Sequence, residues 1–242
     1  MELTIGHFYP DLLNLYGDRG NIITLQSRLE RRGITAHVKT FALADEIDFT
    51  MLDIIFIGGG SDREQLLVCN RLCEQKCALL EYVENNGVLL AVCGGYQLLG
   101  NYYRLKNELI KGLGILDIRT EQEDGRLIGN VVLESSDNSG TIVGFENHGG
   151  RTEIGSHTPL GTIRYGHGNN GRDGKEGVIY KNVIGTYLHG PLLPKNPVLA
   201  DKILQNALEK KYGAISLQPL DDTLETQAHD YIVSKYSAAR GR

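Results

Sequence analysis

The 242-residue sequence has no apolar run approaching the roughly 20 residues that a membrane-spanning helix needs. Its opening, Met1-Glu2-Leu3-Thr4, lacks the basic and apolar regions of a signal peptide. Cationic excess is missing as well: 25 Lys and Arg stand against 30 Asp and Glu, a formal net charge of −5. That balance argues against a phosphate backbone as the primary partner. Four cysteines without an export signal do not suggest a disulfide framework. A soluble, cytoplasmic protein is expected, with no nucleic-acid partner and no direct membrane insertion.

Glycine is what the chain has in excess. Its thirty glycines are about twice the usual share of roughly 7%. They cluster at the ends of apolar runs, in Gly58-Gly59-Gly60, Cys93-Gly94-Gly95 and His148-Gly149-Gly150. Such placement points to backbone turns at a site and away from a flexible linker. Hydrophobic residues, at 41%, suffice for one sizeable core.

The first hundred residues alternate strand and helix. Leu3 to Phe8, Ile34 to Phe41, Leu52 to Ile57 and Val88 to Val92 read as strands. Helices are expected from about Asn21 to Arg32, and from a Ser61-x-x-Glu64 capping box to about Asn85. Alternation of this kind implies a parallel sheet covered on both faces, with ligands bound at the carboxyl ends of its strands. From about Leu113 to His189 the pattern becomes short strands with turn signals, among them Asn130 to Glu134 and Thr141 to Phe145. Two amphipathic helices, Pro194 to Tyr212 and Asp222 to Ala239, close a chain read as one α/β domain over residues 1–242. Cys69, Cys73 and Cys77 are spaced i, i+4, i+8, along one helical stripe that Leu66, Leu80 and Val83 continue. The array therefore reads as a buried helix face, and no metal site is expected.

Chemistry concentrates at Ala91-Val92-Cys93-Gly94-Gly95-Tyr96-Gln97. A buried strand turns abruptly into a helix at Cys93, the geometry of a nucleophile elbow. The helix N-terminus is expected to lower the thiol pKa from about 8.5. The Gly94 N–H, with one from the Gly58-Gly59-Gly60 turn, suits an oxyanion hole. A cysteine nucleophile needs a base, and two histidines lie just past strands: His189, after Ile184-Gly185-Thr186-Tyr187-Leu188, and His148, in Asn147-His148-Gly149-Gly150-Arg151. Either is a candidate, the other then binding substrate or standing as a satisfied loop histidine.

Five segments in this order carry a family resemblance: Leu13 to Asn21, Phe56 to Glu64, Cys93 to Gln97, Gly144 to Arg151 and Gly185 to Pro191. Over nearly its whole length the chain resembles the class I, triad-type glutamine amidotransferases, in the branch related to cobyric acid synthase. Within that branch it is most similar to the glutaminase subunits of lipid II isoglutaminyl synthases. The resemblance implies a three-layer fold with a mostly parallel central sheet, flanking helices and an additional antiparallel strand region. It implies Cys93 as nucleophile on the side-chain amide of L-glutamine and His189 as general base and then acid. Gly59, Gly60 and Gly94 would supply oxyanion N–H groups, and Arg126, Gln97 and His148 would bind substrate, Arg126 at the α-carboxylate. Two positions depart from the family pattern. Ala91 replaces the first glycine of the elbow, and Pro191 stands where a glutamate two residues after the histidine would orient the imidazole.

No G-x-x-x-x-G-K-[ST] occurs in the chain, and Gly174-Lys175-Glu176 lacks both the upstream glycine and the hydroxyl residue. The domain begins at residue 3, so the ATP-binding part is expected on a separate polypeptide. The resemblance implies a Mur-ligase-like partner that carries ATP and Mg2+ and amidates the D-glutamate α-carboxyl of the lipid II stem peptide. Membrane association is then indirect, because Lys235, Arg240 and Arg242 are too few to dock on a bilayer. Competing expectations are another acceptor such as a cobyrinate-type carboxylate, an unrelated cysteine hydrolase, and a non-catalytic scaffold.

Overall fold

A computed structural model describes residues 1–105 and 108–237. Its first half runs β1 (Glu2–Phe8), α1 (Arg19–Glu30), β2 (Thr35–Phe41), β3 (Ile54–Ile57), α2 (Asp62–Glu74), α3 (Lys76–Glu84), β4 (Val88–Val92) and the short α4 (Gly94–Leu98). There follow β5 (Tyr102–Arg104), β6 (Leu109–Lys111), β7 (Arg119–Ser135), β8 (Thr141–Glu153), β9 (Gly161–Tyr165), β10 (Lys175–Glu176), β11 (Val178–Tyr180) and β12 (Val183–Thr186). Two helices, α5 (Pro197–Tyr212) and α6 (Thr223–Ser237), complete the described chain.

The first sheet has the order β11-β12-β4-β3-β1-β2, and its neighbours are parallel except β11 against β12. Both faces are covered, which is why β3 and β4 are apolar and buried at every position. Alternate residues part to opposite layers. Ile55, Ile57, Leu89 and Ala91 pack with Val68, Leu72, Leu79 and Val83 of α2 and α3. Ile54, Phe56, Leu90 and Val92 pack with Leu25 and Leu29 of α1 and Ile203 and Leu204 of α5. Each such side chain contributes roughly 1.5–3 kcal/mol by leaving water. The expected three-layer α/β architecture with a mostly parallel sheet is what forms.

A second sheet, ordered β10-β9-β7-β5-β6 with β8 on β7, stands at the carboxyl end of the first. It is largely antiparallel, the exception being β5 beside β7. The short strands expected at Asn130 to Glu134 and Thr141 to Phe145 are parts of a much longer β7–β8 hairpin. A β-bridge between Phe145 and His189 ties that hairpin to the exit of β12.

The single helix expected from Ser61 to Asn85 is two. Gln75 leaves helical geometry at φ −109°, ψ 12°, and its side-chain oxygen accepts the Ile47 N–H at 3.3 Å. Only Cys77 lies beyond the break: Cys69 is buried and its thiol donates to the Lys111 carbonyl, while Cys73, on the same helix, and Cys77 are exposed. The capping box does form, with the Ser61 N–H donating to the Glu64 carboxylate at 2.9 Å. Arg28, almost fully buried on α1, holds Asp201 at 2.7 Å and Asp222 at 2.6 Å, and so fixes both C-terminal helices. The end of the last helix expected at Ala239, with Arg240 and Arg242, lies outside the described residues. Among the described residues no helix is long and apolar enough to cross a membrane.

Candidate active site

Cys93 caps α4 with φ 51° and ψ −107°, a conformation that lies outside the regions favoured by L-residues. Neighbouring glycines make it possible. A Cβ on Gly94 would stand 2.5 Å from the Gln65 amide nitrogen, and one on Gly95 would stand 2.6 Å from the Ile57 carbonyl oxygen. Ala91, at the family's first glycine position, is a fully buried residue of β4 and leaves the elbow intact. The Cys93 N–H donates to the Thr186 carbonyl at 2.8 Å. Val92 and Thr186 are register partners on adjacent parallel strands, so Cys93 and His189 leave the same edge of the sheet.

The Gly58-Gly59-Gly60 turn is fastened carbonyl by carbonyl. Gly58 accepts from Gly95 N–H at 3.1 Å, Gly59 from Leu15 N–H at 3.0 Å, and Gly60 from the Gln65 side-chain amide at 3.1 Å. One expected donor is engaged: the Gly59 N–H donates to the buried Asp18 carboxylate at 2.8 Å. The Gly94 N–H points at the Cys93 sulfur. Gly60 and Gly94 are thus better disposed than Gly59 as oxyanion donors.

A cleft of about 270 Å³ opens over the elbow. Cys93, Gln97, Arg126, His148 and Gly60 all line it, which brings together most of the residues singled out in the sequence. His189 is fully buried and is not among the lining residues. Its backbone exchanges hydrogen bonds with Phe145, at 2.9 and 3.2 Å.

Arg126 owes its position to a register shift in the β7–β8 hairpin between Gln122 and Leu127. The bulge projects its guanidinium over the cleft, where Nε donates to the Asn147 side-chain oxygen and Nη2 to the Asn147 carbonyl, both at 2.7 Å. Gln97 is buried, and its amide donates to the Tyr187 hydroxyl at 3.1 Å. Tyr187 in turn bonds Thr152 at 2.6 Å.

The geometry separates the two histidines. His148 donates from Nδ1 to the Gly150 carbonyl at 2.7 Å and turns Nε2 toward Glu146, 3.6 Å away. Its ring stacks on Tyr187 at 3.6 Å with an interplanar angle of 5°. Its Nδ1 is thus engaged, while Nε2 faces the Glu146 carboxylate without a hydrogen bond among the described residues. Glu146 is fully buried and also accepts the His167 and Gly168 N–H groups, at 2.8 and 2.9 Å. Burial raises its carboxyl, but the His148 side chain and the His167 N–H groups hold it below the usual range.

Electrostatics overturn one expectation. Burial pushes the Cys93 thiol up to about 12, Asp18 adding to the rise, against the pull of the Gly94 N–H and Arg126. The five-residue α4 is too short a dipole to overcome desolvation. His189 moves the other way, down to about 4, through burial and the fields of His148 and Arg126. The resting pair is therefore a neutral thiol and a neutral imidazole.

The run from Asp18 to Asn21, within the first family segment, joins the site's parts. Asp18 holds Gly59, Gly20 receives the Pro191 ring, and the Asn21 side chain accepts the Leu193 N–H at 2.9 Å. A Cβ on Gly20 would lie 2.4 Å from Pro191 Cγ. Pro191, at the position of the family's usual glutamate, is thus a packing contact. Asp18, Asn147 and Glu146 went unrecognised because nothing in sequence distinguishes a buried carboxylate or amide from a solvated one.

A family described as the CobB/CobQ-like glutamine amidotransferase domain matches residues 4–197. The chain is 48% identical over 235 residues to the lipid II isoglutaminyl synthase (glutamine-hydrolyzing) subunit GatD of Staphylococcus aureus strain N315, covering 97% of this chain and 96% of that one. It is 41% identical over 245 residues to the GatD subunit of Streptococcus pneumoniae strain R6, covering 100% and 93%. Cobyric acid synthase of Listeria innocua is 31% identical over 180 residues, 69% of this chain but 34% of that enzyme. In fold, a crystal structure of a glutamine amidotransferase superposes with a TM-score of 0.57 at 21% identity, over 84% of this chain and 98% of that one. The elbow, the cleft and these matches agree: the chain belongs to the CobB/CobQ-like glutamine amidotransferase family.

Proposed function

We propose that this chain is the glutaminase subunit of a lipid II isoglutaminyl synthase. It hydrolyses L-glutamine through a Cys93 thioester and hands ammonia to a separate Mur-ligase-like subunit. That partner binds ATP and Mg2+ and amidates the D-glutamate α-carboxyl of the lipid II stem peptide. The observation that carries the catalytic part is Cys93 held in a strained elbow on the floor of a cleft that Arg126 overlooks. The acceptor rests on similarity to the two GatD subunits along essentially their whole length. The cobyric acid synthase relatives are matched over about a third of theirs, which disfavours a cobyrinate-type acceptor.

In this reading the neutral His189 takes the Cys93 proton as the sulfur attacks the glutamine amide carbon. The Gly60 and Gly94 N–H groups stabilise the oxyanion, each worth about 3 kcal/mol in the transition state. His189 then returns its proton to the departing nitrogen, and ammonia leaves behind a thioester. Water, deprotonated by the same imidazole, cleaves the thioester to glutamate and restores the thiol. Arg126, oriented by Asn147, holds the α-carboxylate.

Stoichiometric glutamate and ammonia from L-glutamine, lost in Cys93→Ala, is the expected result with the full chain, alone or with its ligase. Alkylation by a glutamine-analogue electrophile, mapped to Cys93 by mass spectrometry, discriminates against a scaffold. Ammonia transfer to lipid II that persists without this subunit would remove the acceptor assignment.

A further inference from the structure

L-Glutamine carries three recognition points: an α-carboxylate, an α-ammonium and a side-chain amide. Arg126 accounts for the first. The cleft lining includes one carboxylate, Asp62, which is exposed on the first turn of α2. Three residues on, Gln65 also lines the cleft and is almost fully buried. Its amide nitrogen is spent on the Gly60 carbonyl at 3.1 Å, which fixes the amide orientation. Its oxygen has no hydrogen-bond partner among the described residues. A buried acceptor left in that state is costly unless a donor arrives.

Depth decides which donor meets which acceptor. Gln65 packs against the elbow, its amide nitrogen 2.5 Å from where a Gly94 Cβ would stand, and lines the same cleft as Cys93. Residues three apart on a helix have Cβ atoms about 5–6 Å apart. That step matches the separation of glutamine's side-chain amide from its α-ammonium. We propose that the first turn of α2 measures the substrate: Gln65 Oε1 accepts an N–H of the scissile amide, and Asp62 takes the α-ammonium. With Arg126 on the α-carboxylate, all three recognition points of L-glutamine are met. The assignment rests on the glutaminase reading.

Both residues also serve the fold, since Asp62 opens α2 and bonds the Tyr103 hydroxyl, and Gln65 supports the Gly60 turn. The test therefore reads ratios, which cancel a general loss. kcat/KM is measured on the full chain for L-glutamine, for 4-carbamoylbutanoate, which lacks the α-amino group, and for L-glutamate γ-methyl ester, which lacks the amide N–H. Asp62→Asn is expected to cut the preference for L-glutamine over 4-carbamoylbutanoate about tenfold through KM, and Asp62→Glu to restore most of it. Gln65→Leu is expected to erode the preference for L-glutamine over the ester while leaving the 4-carbamoylbutanoate ratio in place. An active wild type whose ratios are unmoved by these substitutions, or shift equally in both variants, overturns the assignment alone. A wild-type chain that releases no glutamate in the presence of its ligase overturns the glutaminase reading as well.

Discussion

The Asp18 carboxylate accepts the Gly59 N–H at 2.8 Å beside the side chain of Cys93. A buried acid thus sits next to the thiol, and its charge disfavours ionisation of the thiol. Burial raises Asp18 to about 7 although the Gly59 bond opposes the shift, and its field raises Cys93. Asp18→Asn keeps an acceptor for Gly59 and removes the charge. Alkylation of Cys93 by iodoacetamide at pH 8 is expected to accelerate, by about tenfold for a one-unit fall in thiol pKa. An unchanged or slower rate would contradict the coupling.

The neutral thiol–imidazole pair sets the pH profile. His189 acts as a base only when unprotonated, and its pKa is lowered to about 4. Glutaminase kcat/KM is expected to stay level from about pH 5.5 to 8 and to fall on the acid side near pH 4. In His148→Gln a nearby positive field is lost, so the acid limb should move upward in pH. A limb near pH 6.5 in the wild type would show that His189 is neither desolvated nor within the field of Arg126.

Asn147 holds two edges of the Arg126 guanidinium, one through its side chain. Asn147→Ala frees that edge without deleting the charge. KM for L-glutamine is expected to rise about fivefold, equivalent to about 1 kcal/mol, with kcat nearly constant. Arg126→Lys should raise KM further, because an ammonium cannot replace the planar fork. Steady-state kinetics with both variants decide it. An unaltered KM in Asn147→Ala would remove the positioning role.

Glu176 is fully buried beneath the strand that leads to His189. One oxygen accepts the Thr186 hydroxyl at 2.6 Å and the Tyr187 N–H at 2.8 Å, while the other has no partner among the described residues. Burial raises its carboxyl to about 7 from 4.5. The unfolded chain releases this proton near pH 4.5 and the folded one only near 7, so folding loses stability as pH rises between them. The loss is at most about 3 kcal/mol and is complete above pH 7. Glu176→Gln keeps the bonded oxygen and removes the titration. Its melting temperature should match the wild type at pH 4 and exceed it at pH 8. A difference independent of pH would assign Glu176 a purely steric role.

Strands β3 and β4, and the Gly58-Gly59-Gly60 turn after β3, were legible because a strand buried on both faces is apolar throughout and a tight turn at its end favours glycine. The break at Gln75 was not: no proline or glycine marks it, and it depends on a contact with Ile47, far away in sequence. The same break separates Cys77, which is exposed on α3, from the stripe on α2. The long hairpin was hidden because the polar run from Glu121 to Arg126 shows no alternation, being half exposed and bulged.

Local chemistry alone determined the parallel α/β sheet covered on both faces, the elbow at Cys93 and the pair of histidines at strand exits. These follow from residue size, apolar periodicity and glycine's freedom, which act between near neighbours in the chain. Tertiary structure alone decided that His148 lines the cleft while His189 is buried beneath it, that the thiol rests protonated, and that Asp18 holds the Gly59 N–H. Those outcomes depend on burial and on charges brought together from distant segments, and desolvation is a property of the assembled fold.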